Sequence, residues 1–451
     1  MSAVKYYMPQ ALQAEHECAY LIKRLAKEKH DAIPNWEKYT EGLKNEQPGA
    51  ISLCSQNALS IIYGVPGSGK TTTIKTIVKM FDANGMKGIV ASPTGQATKK
   101  ARSSVQSQTY IDEPECMTTY RALEYNPRIG RFDRNERNTI DADYIIIDEG
   151  SFLGITHTRD LLRAIDPKKT RVILSGDDNQ LPSVEPGSVF RDTINSGLVG
   201  TCNLLTPMRQ GKDSGIVYNA NQLLKGEKPS SIDPNTGEKF TDWIFAGLED
   251  TSKIKEKLTG WVCDKIPSQY GIDSITGIQV ICPGKDGEAG TNSINTWLKD
   301  SLNPNPKGAK FRSFNIGDKV INKRTVYSLG ITNGDAGIVR DTASSGMVVD
   351  FGVGCGIDGK GIVEISGEVA DKVYLNYAGT IHGSQGSEYE CQITPLYRMH
   401  WKLLSRNLWY TAMTRPRKLS LQFGDPSAAM RCVDYSQSIE RLTGLQELLL
   451  A

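Results

Sequence analysis

Apolar residues in this chain come in short blocks separated by polar, glycine-bearing turns, and the spacing within blocks alternates between two kinds. Ala58-Leu59-Ser60-Ile61-Ile62-Tyr63, Gly88-Ile89-Val90-Ala91, Tyr144-Ile145-Ile146-Ile147 and Arg171-Val172-Ile173-Leu174-Ser175 are near-continuous runs of strand length. Between them the apolar positions fall at helical spacing, as with Ile74, Ile77 and Val78 in 72–80. Buried strands alternating with helices predict a parallel sheet covered on both faces. A second alternation covers about 201–310, with a strand at 277–281 and a helix at 293–302. Ahead of both, Leu12, Ala19, Leu21, Ile22 and Leu25 predict one amphipathic helix over about 10–30. Residues 31–49 turn polar, with Pro34, Gly42, Pro48 and Gly49 as breakers, and read as a connector.

The texture changes between about 311 and 375. Short apolar runs such as Lys319-Val320-Ile321 alternate with Gly, Asp and Asn, and Asn333-Gly334 signals a hairpin turn. This predicts a small antiparallel barrel inserted into the second core. A terminal helix is expected around Ile439, Leu442, Leu445, Leu448 and Leu449. The expected organisation is α/β: an N-terminal helix and connector at 1–55, a first core at 56–200, a second core at 201–310 and 375–451, and the barrel at 311–374.

Composition narrows the class only modestly. With 451 residues, 39% hydrophobic and 23% charged, the chain reads as an ordinary soluble protein of several domains. A formal charge of +2 neither demands nor excludes nucleic acid, because a basic groove can hide within a neutral total. The nine cysteines are scattered with no C-x-x-C pair, which reads as reduced, cytoplasmic thiols and no zinc site. No stretch approaches 18 apolar residues, and the first residues lack the apolar core of a signal peptide.

Candidate chemistry starts at Gly64-Val65-Pro66-Gly67-Ser68-Gly69-Lys70-Thr71, which fits the phosphate-loop pattern G-x-x-x-x-G-K-[ST] between a strand and a helix. The glycines let backbone N–H groups turn toward one anion, and the helix N-terminus adds partial positive charge. Lys70 offers a point charge for the β- and γ-phosphates of ATP, and Thr71 a hydroxyl for Mg²⁺, with Thr72 beside it. Asp148 and Glu149 end a buried strand, where an acid completes a Mg²⁺ shell and a neighbouring Glu orients water; a helix start is the bland alternative. Gln180, in Ser175-Gly176-Asp177-Asp178-Asn179-Gln180-Leu181-Pro182-Ser183-Val184, is expected beside the phosphate loop as a γ-phosphate sensor, or else in a polar turn.

The order of these segments resembles superfamily 1 helicases, and within them the RecD-like and phage Dda-like 1B branch. Asp148-Glu149-Gly150-Ser151 is similar to that family's D-E-A-S, and Ser175–Val184 to its G-D-x-x-Q-L-P-S-V. Thr118-Thr119-Tyr120-Arg121-Ala122-Leu123 with Tyr125-Asn126-Pro127 resembles T-I-H-R-L-L-x-Y-N-P. Residues 377–388 are similar to Y-A-x-T-x-H-K-S-Q-G-S-E, and Tyr410-Thr411-Ala412-Met413-Thr414-Arg415 to Y-T-A-[IL]-T-R. The resemblance implies two RecA-like cores, a β-hairpin pin at about 125–140 and an SH3-like inserted barrel. It implies arginine fingers at Arg209 and Arg415, nucleotide contacts at Gly386 and Glu388, and single-stranded DNA contacts at Pro93, Thr94, Thr118, Thr380 and His382. Phe132 is the exposed aromatic expected near the wedge of the pin. Trp401, Trp409 and Tyr410, interleaved with cations, suit either base stacking or a core.

Three departures stand out. The family's adenine-reading glutamine, at a helix start before the phosphate loop, aligns near Gln13–Cys18 with His16 in its place, and Gln56 is a rival. Gly150 replaces Ala, and Gly383 replaces a Lys. What the resemblance implies is a monomeric, cytoplasmic ATP- and Mg²⁺-dependent helicase moving 5′ to 3′ on single-stranded DNA and at duplex junctions, alongside replication or recombination proteins. An RNA helicase and a nucleotide-switched binding module are the alternatives.

Overall fold

The apolar runs become strands buried on both faces. In chain order they are β1 (Leu59–Gly64), β2 (Gly88–Ser92), β3 (Glu115–Thr118), the short pair β4 (Tyr125–Asn126) and β5 (Arg131–Phe132), β6 (Tyr144–Ile147), β7 (Arg171–Gly176) and β8 (Gly200–Leu204). All but β4 and β5 form one parallel six-stranded sheet in the order β3-β2-β6-β7-β1-β8. The computed structural model describes residues 8–105, 113–206, 214–304, 306, 308, 310–436 and 441–451. The chain divides into two units, Met1–Lys212 with Ser438–Ala451, and Asp213–Gln437.

In the first unit, helix Pro9–Lys27 packs Ala14, Cys18, Ile22 and Leu25 into the same core as Ile61, Ile145 and Val172, while Leu12 faces solvent. The other face of the sheet is covered by helices Gln47–Gln56 and Lys70–Asp82, through Ile51, Cys54, Ile77 and Phe81. Two expectations are corrected here. Residues 201–204 do not open the second core: β8 pairs with β1 from Ser60↔Gly200 to Gly64↔Leu204 and completes the first sheet. The second core also does not run to 451. Helix Leu445–Leu450 buries Leu445 and Leu449 in the cluster that holds Ala14 and Cys18, because that apolar patch on the first helix needs a cover. Leu442 is exposed, and Ile439 lies outside the described residues.

The second unit contains β9 (Trp243–Gly247), β10 (Ile278–Cys282), β11 (Lys319–Asn322), β12 (Ala336–Ala343), β13 (Gly346–Asp350), β14 (Ile362–Ser366), β15 (Val373–Leu375), β16 (Ala378–Thr380), β17 (Tyr389–Leu396) and β18 (Pro416–Gly424). Five of them make a parallel sheet, β16-β10-β17-β18-β9. The segment between β10 and β16 supplies a separate antiparallel sheet, β14-β13-β12-β11-β15. Where a barrel was expected, the described ladders run in that open order with β14 and β15 at the edges. Asn333-Gly334 does not join two strands directly. It sits at the end of a longer connection containing the short helix Tyr327–Leu329, where Gly334 donates to the Asn322 carbonyl just before β12 begins. None of the described helices is long and apolar enough to cross a membrane.

Candidate nucleotide and nucleic-acid site

β1 runs into the phosphate loop, and helix Lys70–Asp82 runs out of it. Gly67 and Gly69 take φ of 78° and 87°, a left-handed geometry that an L side chain adopts only with strain. The Lys70 ammonium donates to the carbonyls of Gly64 at 2.6 Å and Val65 at 3.0 Å. Burial pulls Lys70 below its usual range, and the carboxylates of Asp177, Glu149 and Asp148 oppose that pull. Ser68 is 2% exposed and its hydroxyl has no hydrogen-bond partner among the described residues. A buried polar atom without a partner is costly unless a ligand supplies one. Pro66 and Thr71 are half-buried at the rim, and Thr72 is exposed. Thr71 and Asp148 line one depression together with Lys75 and Lys100. This donor set fits a triphosphate with a divalent ion.

The sheet order places β6 and β7 beside β1, so their C-terminal ends meet the loop. Asp148 Oδ1 accepts from the Glu149 N–H at 3.0 Å and from Ser175 Oγ at 3.2 Å. Glu149 has φ of 58°, left-handed backbone that a non-glycine residue adopts rarely and that clusters at functional sites. Gln180 is 5% exposed; its Nε2 donates to Asp177 Oδ2 at 3.1 Å, and its Oε1 has no partner among the described residues. Lys70, Asp148, Glu149 and Gln180 therefore converge in the first unit. Asp177 and Ser175, which sequence reasoning passed over, hold Gln180 and Asp148 in place.

A glutamine other than those expected reaches the phosphate loop. Gln13 and His16 are exposed on the first helix, and Gln56 is exposed at the end of a helix rather than its start. Gln47 opens helix Gln47–Gln56, is 3% exposed, and donates from Nε2 to Gly69 O at 3.3 Å and Thr73 Oγ1 at 3.4 Å. The missed signal is Pro48: Pro-Gly reads as a breaker, but proline suits a first helical turn.

Along the same sheet edge, Pro93 and Thr94 follow β2, and Thr118 ends β3 opposite Ser92. All three are half-buried, and Thr118 Oγ1 accepts from the Arg121 N–H. The hairpin β4–β5 forms within the region expected for a pin. Phe132 is not its exposed residue: the ring packs against Tyr120, Tyr125 and His157 at centroid distances of 5.5, 5.4 and 5.8 Å. The exposed apolar side chain at the tip is Ile129, at 61%.

In the second unit, Thr380 ends β16 and its hydroxyl accepts from the Gly383 N–H at 3.1 Å, while His382 is exposed. Gly386 is buried, and Glu388 pairs with Arg417 at 2.8 Å. Arg415 is 4% exposed and donates to the Thr411 carbonyl at 3.0 Å. Trp409 and Tyr410 are core residues, while Trp401 is exposed. Arg209 lies outside the described residues.

Residues 42–240 match the family model of an AAA domain, and residues 375–421 that of the UvrD-like helicase C-terminal domain. The chain is 30% identical over 434 residues to the ATP-dependent RecD2 DNA helicase of Deinococcus radiodurans, across 94% of this chain and 56% of that protein. It is 25% identical over 462 residues to the RecBCD enzyme subunit RecD of Mycolicibacterium smegmatis, across 97% of this chain and 81% of the relative. The chain thus spans little more than half the length of the first of these relatives. The fold is shared with the Pif1 helicase of Candida albicans, at 16% identity and a TM-score of 0.51 over 88% of this chain and 98% of that one. It is also shared with Bacteroides Pif1 in complex with ADP-AlF3 and single-stranded DNA, at 18% identity and a TM-score of 0.50 over 89% and 94%.

Proposed function

We propose that the chain is a RecD-like superfamily 1B helicase, an ATP-dependent DNA helicase that moves 5′ to 3′ on single-stranded DNA. The observation that carries this is the convergence of Asp148, Glu149 and Asp177 on Lys70 at a phosphate loop whose buried Ser68 hydroxyl has no partner among the described residues. The N–H groups of Gly67–Thr72 cradle the phosphates and Lys70 meets their charge. Thr71 and Asp148 would hold Mg²⁺, which when bound neutralises charge between the β- and γ-phosphates. Glu149 orients the attacking water, and Gln180 turns its free Oε1 to that water or its amide to the γ-phosphate. Arg209 and Arg415 meet the charge of the transferring group, a role often worth about 10³–10⁵ in rate. Gln47 reads the adenine. Gly386 and Glu388 complete the nucleotide contacts.

Pro93, Thr94, Thr118, Thr380 and His382 track the DNA backbone, and the β4–β5 hairpin splits the duplex with Ile129 at its tip. The partners are single-stranded DNA and duplex junctions, with replication or recombination proteins around them. The chain works as a monomer in the cytoplasm. Two measurements test the reading. ATPase should rise with poly-dT and far less with poly-U; no stimulation by either polymer would leave a nucleotide-switched binder instead. Tailed duplexes should be displaced from a 5′ tail, and displacement only from a 3′ tail would reverse the polarity.

A further inference from the structure

The loop that follows Gln180 is held from two sides. On one side it packs against the start of helix Ile155–Arg163. A Cβ at Gly154 would lie 2.2 Å from Glu185 Cβ, so the absence of a side chain there lets the loop come this close. Ile155 N–H also donates to the Pro186 carbonyl at 2.9 Å. On the other side stands Arg441. Its Nη1 donates to the carbonyls of Glu185 at 2.9 Å and Gly187 at 2.8 Å, and its Nη2 to the carbonyl of Ser183. Among the described residues Arg441 meets no carboxylate; burial alone pulls its guanidinium below its usual range.

Arg441 is itself anchored. Thr443 Oγ1 lies 2.9 Å from both Glu15 Oε1 and Asp192 Oδ2, with one proton to donate between them, and Gly444 N–H donates to Glu15 Oε2 at 3.0 Å. Leu445 and Leu449 then enter the first unit's core. A planar guanidinium that satisfies three carbonyls of one loop fixes the loop's curvature, which an ammonium on a flexible stem does less well. Gln180 and Arg441 line the same depression, together with Ser151, Asp178, Ser183 and Arg191.

We propose that Arg441 is a positioning residue for Gln180: by clamping the carbonyls of Ser183, Glu185 and Gly187 it sets where the Gln180 amide reaches, so that hydrolysis runs at its full rate only when the segment carrying Arg441 is seated. This rests on the reading that Gln180 acts at the nucleotide. A misplacement of about 1 Å of such a group can cost on the order of 10²-fold in rate, and a loosened loop that still samples the right position less.

The test is DNA-stimulated ATPase of the full chain with Arg441→Ala, Arg441→Lys, Gln180→Ala and the Arg441→Ala/Gln180→Ala double variant. Arg441→Ala should lower kcat by about tenfold with KM for ATP within about twofold, and Arg441→Lys should fall between it and wild type. The double variant should be no slower than Gln180→Ala alone, since Arg441 acts through Gln180. Unchanged kcat in Arg441→Ala beside an impaired Gln180→Ala overturns the clamp and leaves the nucleotide site standing. Additive losses in the double variant overturn it as well. A fully active Gln180→Ala overturns the reading of Gln180 itself. If Arg441→Ala does not fold, the same cycle built on Arg441→Lys decides the question.

Discussion

The imidazole of His157 stacks on the Tyr120 ring with centroids 4.6 Å apart and an interplanar angle of 21°. Its Nε2 lies 2.8 Å from Thr119 Oγ1, and the residue is 6% exposed. Burial pulls this histidine down to about 4, so it is neutral in the folded protein at physiological pH. The unfolded chain binds a proton near pH 6.5 that the folded chain refuses until about pH 4. The contribution is therefore complete above pH 6.5 and is lost as pH falls toward 4, on the order of 3 kcal/mol. Urea midpoints of wild type and His157→Asn should diverge in pH dependence across that window. Parallel curves would refute the assignment.

The exposed apolar residue of the hairpin is not the aromatic that was expected near its wedge. Phe132 is a packing residue among Tyr120, Tyr125 and His157, whereas Ile129 projects into solvent. Ile129→Asp should keep DNA-stimulated ATPase near wild type and depress strand displacement several-fold. Phe132→Ala should instead lower stability by about 2 kcal/mol, the range for removing a partly buried aromatic, measured as a fall in the unfolding midpoint. Unwinding unaffected by Ile129→Asp would remove the hairpin tip from the mechanism.

These residues also mark how far the sequence can be read. The phosphate loop was legible because Gly67, Gly69 and Lys70 obey a local rule: the backbone must turn in a way that only glycine tolerates, and one cation must stand beside it. Strands β1, β6 and β7 were legible because burial on both faces forces continuous apolar runs. Gln47 was hidden by Pro48-Gly49, which ends helices more often than it begins them. The return of Leu445 and Leu449 to the first unit was invisible because an apolar stripe says that a core is needed, not which one. Arg441 left no trace at all, since its partners are backbone carbonyls that carry no residue identity.

Lys70 and Glu149 should fail in different ways. Lys70 supplies charge to the bound phosphates, so Lys70→Ala should weaken nucleotide binding and reduce ATPase to background. Glu149 acts on the water, so Glu149→Gln should bind nucleotide and DNA normally while kcat falls by about 10²–10⁴-fold. Equilibrium binding of a fluorescent ATP analogue beside steady-state turnover separates the two. Equal loss of binding in both variants would argue against a division of labour.

Asp318 stands at the joint between the inserted sheet and the second core. It is fully buried just before β11, 2.8 Å from the Lys299 ammonium on helix Thr291–Leu302. It also accepts from Asn303 Nδ2 at 2.9 Å, from the Asn315 N–H at 2.8 Å and from the Tyr377 hydroxyl at 3.2 Å. Every donor here comes from the junction, so the carboxylate fixes how the insertion leaves and rejoins its parent sheet. Asp318→Ala would leave a nearly buried ammonium and three donors without their shared acceptor, a loss of about 3–5 kcal/mol. Asp318→Asn keeps an acceptor oxygen but loses the charge, and should cost less. Because a chain of two units need not unfold in one step, the expected signature is an earlier transition of the second unit, followed by Trp297 fluorescence on the same helix, with the first unit's transition unmoved. A uniform shift of both transitions would mean that Asp318 supports more than this joint.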